Sequence, residues 1–130
     1  MSDAANNHLS KVVVKGFKSI KKLELEMKPI NILIGANGSG KSNFISLFTF
    51  LRNLSEGRLQ NYIQKHGSAS SFFHFGPKTT KEMTIDIDVG LNGYHVNFSH
   101  GVHDDSLVFD REFCSIRTSS FDYDIQGMKG

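Results

Sequence analysis

Gly35, Gly40, Lys41 and Ser42 stand at the spacing G-x-x-x-x-G-K-S within the stretch IGANGSGKSN at 34–43. Those residue types at that spacing suit one chemistry, the binding of a phosphate chain together with a hard cation. Gly35, Gly38 and Gly40 are expected to take positive φ, letting main-chain N–H groups, Ser39's included, approach phosphate oxygens. Lys41 would reach the β- and γ-phosphates, and the Ser42 hydroxyl would ligate Mg²⁺. Such a turn works at the mouth of a helix, where unpaired N–H groups and the helix dipole add positive charge. The bland alternative is a glycine turn that only links strand to helix, which would give an exposed Lys-Ser pair no packing use.

The flanking pattern supplies the required setting. INILIG, after Pro29, is a continuous apolar run, expected to form a central strand covered on both faces. Downstream, Phe44, Leu47, Phe48, Leu51 and Leu54 recur at spacings of three and four, with Ile45 broadening the stripe. This predicts a helix at about 40–54 that stops or kinks near Gly57. Upstream, KVVVKGF at 11–17 and LELEM at 23–27 read as an antiparallel hairpin turning through KSIKK. A second short helix is expected at about 59–66, then a loop, GSASSFFHFGPKTT. MTIDIDV alternates with period two, Asn92-Gly93 signals a two-residue turn, and YHVNFSH returns antiparallel. LVFDREFCSI and FDYDIQGMKG read as further strands. The expected layout is a flexible tail at 1–10 and one unit at 11–130, with the loop at 35–42 and an antiparallel meander at about 81–125.

A length of 130 residues supports one domain at most, and a hydrophobic fraction of 38% with eleven Phe fits a folded chain rather than a disordered one. The net charge of +2 is unevenly spread: residues 1–65 carry +6 and residues 66–130 carry −4. The basic half holds the glycine-rich turn, which suits a polyanionic ligand or nucleic acid, although a solvated basic face explains the charges outside the turn equally well. Cys114 is the only cysteine, so no internal disulfide forms and a reducing compartment is the default. The N-terminus has no apolar signal core, and no run approaches the roughly 18 apolar residues of a membrane span. A cytoplasmic protein without membrane contact is therefore the expectation.

A narrower likeness rests on the residues around the turn. KGFKSIKKLELEM followed by PINILIGANGSGKSN resembles the N-terminal lobe of the ABC-type ATPase heads of the RecF/SMC/Rad50 group, especially the bacterial RecF-like ATPases related to the OLD family. The likeness covers roughly 11–116; it is specific at 16–19 and 35–43, generic in texture afterwards, and supported again by FGPKTTKE at 75–82. It implies an α/β fold: a P-loop NTPase N-terminal lobe of strand, Walker A loop and helix with an antiparallel β-subdomain, incomplete relative to a full ABC-type head. It also implies that Asn37 faces the γ-phosphate side and that Asn43 extends the loop past the Mg²⁺ serine. Phe17, Lys18 and Ser19 match a hairpin element lying over the nucleotide. Lys18 is the candidate there for a further phosphate or base-side contact, against the alternative of an ordinary turn lysine. The implied cofactors are ATP and Mg²⁺. The implied partners are a second lobe or a second subunit in a head-to-head dimer, and DNA in repair, chromosome maintenance or defence.

Hydrolysis in such heads needs an apolar strand ending in Asp-Glu, a signature LSGG-type turn and a switch histidine. In the group these lie in a second lobe, so no catalytic residue is assigned here. LVFD at 107–110 mimics the strand, but Arg111-Glu112 breaks the Asp-Glu adjacency at Asp110 and the run sits among hairpins. LSEG at 54–57 falls at the C-terminal end of the first helix, where the dipole has the wrong sign for phosphate. His95, His100 and His103, with Asp104, Asp105 and Cys114, lack compact metal-ligand spacing and are expected on the surface of hairpin strands. Cys114 has no nucleophile context and is expected to face the core of a strand pair. Phe72, Phe73 and Phe75 could stack bases, but the neighbouring Gly and Pro favour a loop tucked onto the core. Three functional readings follow: the ATP-binding lobe of a larger ATPase, a small nucleotide-binding regulatory module without turnover, and, last, a small P-loop kinase. The kinase reading wants an arginine-rich lid, where residues 66–130 hold only Arg111 and Arg117.

Overall fold

Along β1 (Leu9–Phe17) the side chains alternate: Val12 and Val14 are fully buried on one face, while Lys11, Val13 and Lys15 lie on the other. Strand β2 (Ile20–Glu26) folds back beside it with Phe17 opposite Ile20, so the turn is only Lys18-Ser19, tighter than the KSIKK turn expected. The tight reversal puts Lys18 in the left-handed region at φ 49°. On its other edge β1 pairs with β3 (Glu82–Val89), and β4 (Asn92–His100), β5 (Leu107–Arg117) and β6 (Asp122–Gln126) follow. All six strands are antiparallel, in the order β2-β1-β3-β4-β5-β6. The computed structural model describes residues 7–117 and the backbone of 122–126; the rest of the expected tail and of FDYDIQGMKG lies outside the described residues.

Helices α1 (Lys41–Ser55) and α2 (Leu59–Lys65) and a 3₁₀ turn (Ala69–Phe72) cover one face of the sheet. The architecture is α/β, a glycine-rich loop and helix on an antiparallel sheet. Phe44, Leu47 and Phe50 are the buried residues of α1. Phe50, absent from the expected stripe, is its deepest ring. It meets Phe17, Phe72 and Phe98 at centroid distances of 5.6, 5.7 and 5.7 Å, and Tyr62 at 6.5 Å. These contacts join the β1–β2 hairpin, α1, α2, the 3₁₀ turn and β4 into one core, with edge-on rings at the Phe17, Phe98 and Tyr62 contacts.

Three expectations fail because of relations between distant parts of the chain. The turn between β3 and β4 is Gly90-Leu91, two residues before Asn92-Gly93. Gly90 supplies the positive φ of 58° that the first turn position needs, whereas Gly93 is a strand residue whose missing side chain makes room for Ser115 and His95. Cys114 is exposed rather than core-facing, because the helices cover β5 only as far as Phe109. The run INILIG makes no strand ladder: Ile30, Ile32 and Ile34 are 81%, 78% and 91% exposed. A central strand needs hydrogen-bonding neighbours, and every ladder in the described residues is formed within 9–26 and 82–126. Replacing the ring at the centre of the core, Phe50→Ala, should cost about 3–5 kcal/mol. The expected reading is a lower chemical-denaturation midpoint with an unchanged slope.

Candidate functional site

The loop meets its helix at Gly40, the residue before α1, which sits at φ 96° with no side-chain cap. The first helical bond is from Phe44 N–H to the Gly40 carbonyl, at 2.9 Å. The N–H groups of Lys41, Ser42 and Asn43 therefore have no partner within the helix and stand at its positive end. Gly38, at φ 83°, makes the preceding bend. Gly35 departs from the expected positive φ; a Cβ there would lie 2.6 Å from Ser39 Oγ, so that hydroxyl would have to turn away from its place beside Lys41.

Lys41 folds back into the loop. Its ammonium donates to the Gly35 carbonyl, to the Ala36 carbonyl at 2.7 Å and to Ser39 Oγ at 3.1 Å. It thus occupies the centre of the turn, with its charge held where a phosphate oxygen would compete for it. Ser42 is exposed and its hydroxyl makes no hydrogen bond with the described residues. Asn37, Gly38, Gly40, Lys41, Ser42 and Asn43 line one cavity of about 320 Å³. Main-chain N–H groups, an ammonium and a free hydroxyl oxygen form a donor set suited to a triphosphate with a hard cation.

Lys18 lies outside that cavity. Its ammonium stands 4.9 Å from the Phe72 ring centroid and 5.7 Å from that of Phe17, a cation–π position. Partial burial lowers its pKa from the usual lysine value. It lines a second cleft, about 740 Å³, with Ser71, Phe73, Phe75 and Pro77. Asn43 lines both spaces, and its amide donates to Ser19 Oγ at 2.6 Å, tying the start of α1 to the hairpin turn. Sequence reasoning missed what fixes this turn: His74 donates its main-chain N–H to the Gly16 carbonyl at 3.0 Å and its Nδ1–H to the Lys18 carbonyl at 2.8 Å. Thr80 in turn donates to the His74 carbonyl at 2.5 Å. FGPKTTKE at 75–82 contains Thr80 but not His74, and nothing local in the sequence signals either contact.

The decoys separate in space. Asp110 is an exposed β5 residue accepting from Ser99 Oγ at 2.9 Å, and LSEG closes the C-terminal end of α1. His95 pairs with Asp86, and His100 with Asp105, each at 2.8 Å, and the described residues hold no group of three metal-ligating side chains. Phe72 and Phe73 are buried as expected; Phe75 is 82% exposed.

A glycine-rich loop that closes on a lysine at the N-terminus of a sheet-backed helix has the form of a P-loop lobe. Residues 8–126 match the profile of the AAA ATPase domain, and the chain belongs to that family. Among its relatives are proteins of the RecF and SMC type that the sequence resembles. It is 31% identical over 87 residues to the DNA replication and repair protein RecF of Acidothermus cellulolyticus, covering 65% of this chain and 23% of the relative. It is 26% identical to structural maintenance of chromosomes protein 2 of Xenopus laevis, covering 84% of this chain and 11% of the relative. It is 28% identical to endonuclease GajA of Bacillus cereus, covering 65% and 13%. The chain thus spans less than a quarter of the length of these proteins. No solved structure shows a significant match. No helix among the described residues is long and apolar enough to cross a membrane.

The two lysines of the β1–β2 hairpin that have opposite surroundings should titrate on opposite sides of 10.5. Burial lowers Lys18, whereas the hydrogen bond and charge of Glu24 raise Lys11. With its folded pKa below the unfolded one, Lys18 binds fewer protons in the native state, so its contribution makes stability rise with pH across that window. Carbon-detected NMR of the lysine Cε signals should show Lys18 deprotonating before 10.5 and Lys11 after it.

Proposed function

We propose that this chain is the nucleotide-binding lobe of a RecF/SMC-type ATPase and that residues 35–43 bind Mg-ATP. The observation that carries this reading is the loop itself: three helix-start N–H groups without helical partners, Lys41 at the centre of the turn and Ser42 facing solvent in a single cavity. In the proposed complex Gly38, Ser39 and Gly40 present main-chain N–H groups to the phosphates, and Lys41 exchanges its carbonyl partners for the β- and γ-phosphates. Asn37 faces the γ-phosphate, Ser42 holds Mg²⁺, and Asn43 continues the contact surface toward Lys18. Mg²⁺, when bound, neutralises charge developing on the phosphate oxygens.

Turnover is proposed to need a second lobe and a second subunit meeting this one head to head. The isoleucine run that leads into the loop supports this: Ile30, Ile32 and Ile34 are almost wholly exposed, a composition suited to a strand in the middle of a larger sheet. The cytoplasm as location and DNA as the ultimate substrate, in repair, chromosome maintenance or defence, belong to the same proposal. Their support is the family and the names of the relatives.

Lys41→Ala should weaken Mg-ATP binding by about 100-fold, the scale of a lost charge-assisted contact. Ser42→Ala should weaken binding only when Mg²⁺ is present. Calorimetric titration with and without chelator checks both, and wild-type affinity in both variants would overturn the site assignment. The 130-residue chain should release phosphate no faster than Lys41→Ala. Turnover well above that control would remove the need for a second lobe.

A further inference from the structure

Phe75 is the one aromatic side chain among the described residues left largely in solvent, at 82% exposure. Its backbone is held at φ 55°, a conformation costly for a bulky residue. The surrounding structure enforces it. His74 is anchored through both its main-chain and ring nitrogens to Gly16 and Lys18, and Gly76 N–H donates to the Phe73 carbonyl at 3.0 Å. Thr80 closes the loop on the His74 and Gly76 carbonyls. Core packing does not account for the strain, because Phe72 and Phe73 fill the core beside it while the Phe75 ring, largely in solvent, lies tilted against the His74 ring at 4.3 Å between centroids.

The cleft that Phe75 lines adjoins the phosphate-loop cavity at Asn43, the residue directly after Ser42, which lines both. A ligand whose phosphates lie along 38–42 and that continues past Asn43 would enter a space lined by Phe75, Lys18, Ser70 and Ser71. We infer that Phe75 is the stacking platform for the base of the bound nucleotide, making this loop the base-binding part of the site. The inference rests on the nucleotide reading above and deepens it. An aromatic face is tolerant of base identity, so it contributes affinity for a nucleoside triphosphate over a bare phosphate chain and contributes little to the choice among bases.

The chain has no tryptophan, so Phe75→Trp installs a single fluorescent reporter in place of the ring. ATP should quench that fluorescence, and inorganic tripolyphosphate should not. Phe75→Ala should weaken ATP binding by about tenfold, the lower range of base–aromatic stacking, and leave tripolyphosphate affinity unchanged. Phe75→Trp should restore ATP affinity, which excludes a folding defect as the cause. ATP and tripolyphosphate binding unaltered by Phe75→Ala, with no quenching in Phe75→Trp, would overturn the platform while leaving the nucleotide reading intact. Absence of binding of either ligand to wild type would overturn both. Quenching by a single-stranded oligonucleotide and not by ATP would reassign the ring to nucleic acid and overturn the inference as stated.

Discussion

The contact of the Phe50 ring with Phe17, Phe72, Phe98 and Tyr62 fixes where helix α1 lies on the sheet, and the position of everything near the loop depends on it. Phe17 is the last residue of β1, so the same cluster places the Lys18-Ser19 turn against the start of α1. Phe72 ends the 3₁₀ turn, so it also delivers the segment carrying His74 and Phe75. A helix N-terminus alone is a weak anion site; here it is held in one orientation relative to the hairpin by buried aromatic area, where each ring contributes on the order of 1.5–3 kcal/mol.

The antiparallel sheet has two unlike faces. One carries Val12, Val14, Met83, Ile85, Val96 and Phe98 under the helices. The other carries Lys11, Asp86, His95 and Ser115, joined across strands by pairs such as His95 with Asp86 and with Ser115. This is the ordinary economy of an antiparallel sheet with one solvated side. It explains why histidines and acids that look like a metal set in one dimension form separate cross-strand pairs in three.

The elements legible from sequence were those whose signal is local and periodic. MTIDIDV alternates cleanly and becomes β3, and Phe44-Leu47 marks the buried side of α1. What sequence did not reveal depends on partners far along the chain. Asn92-Gly93 has the chemistry of a hairpin turn, yet the register with β3 and the crowding by Ser115 move the turn to Gly90. Cys114 has an apolar neighbourhood in sequence and an uncovered one in space, because helix length and not strand pattern decides how far the sheet is covered. In the site, loop spacing placed Lys41 and Ser42 in one cavity, but nothing local signals that His74 anchors the backbone of Lys18.

The uncovered isoleucines at 30–34 also bear on how such a protein is made. They form a short, uncharged, β-branched window of the kind that recruits other copies of itself, flanked by the gatekeepers Lys28 and Pro29 on one side and glycine on the other. Translation proceeds at roughly 5–20 residues per second, so a covering lobe encoded later in the chain would reach these residues only after several seconds or more. During such an interval the window would be exposed on a ribosome among other nascent copies. An uncovered apolar run of this kind makes the order and speed of synthesis part of the protein's solubility.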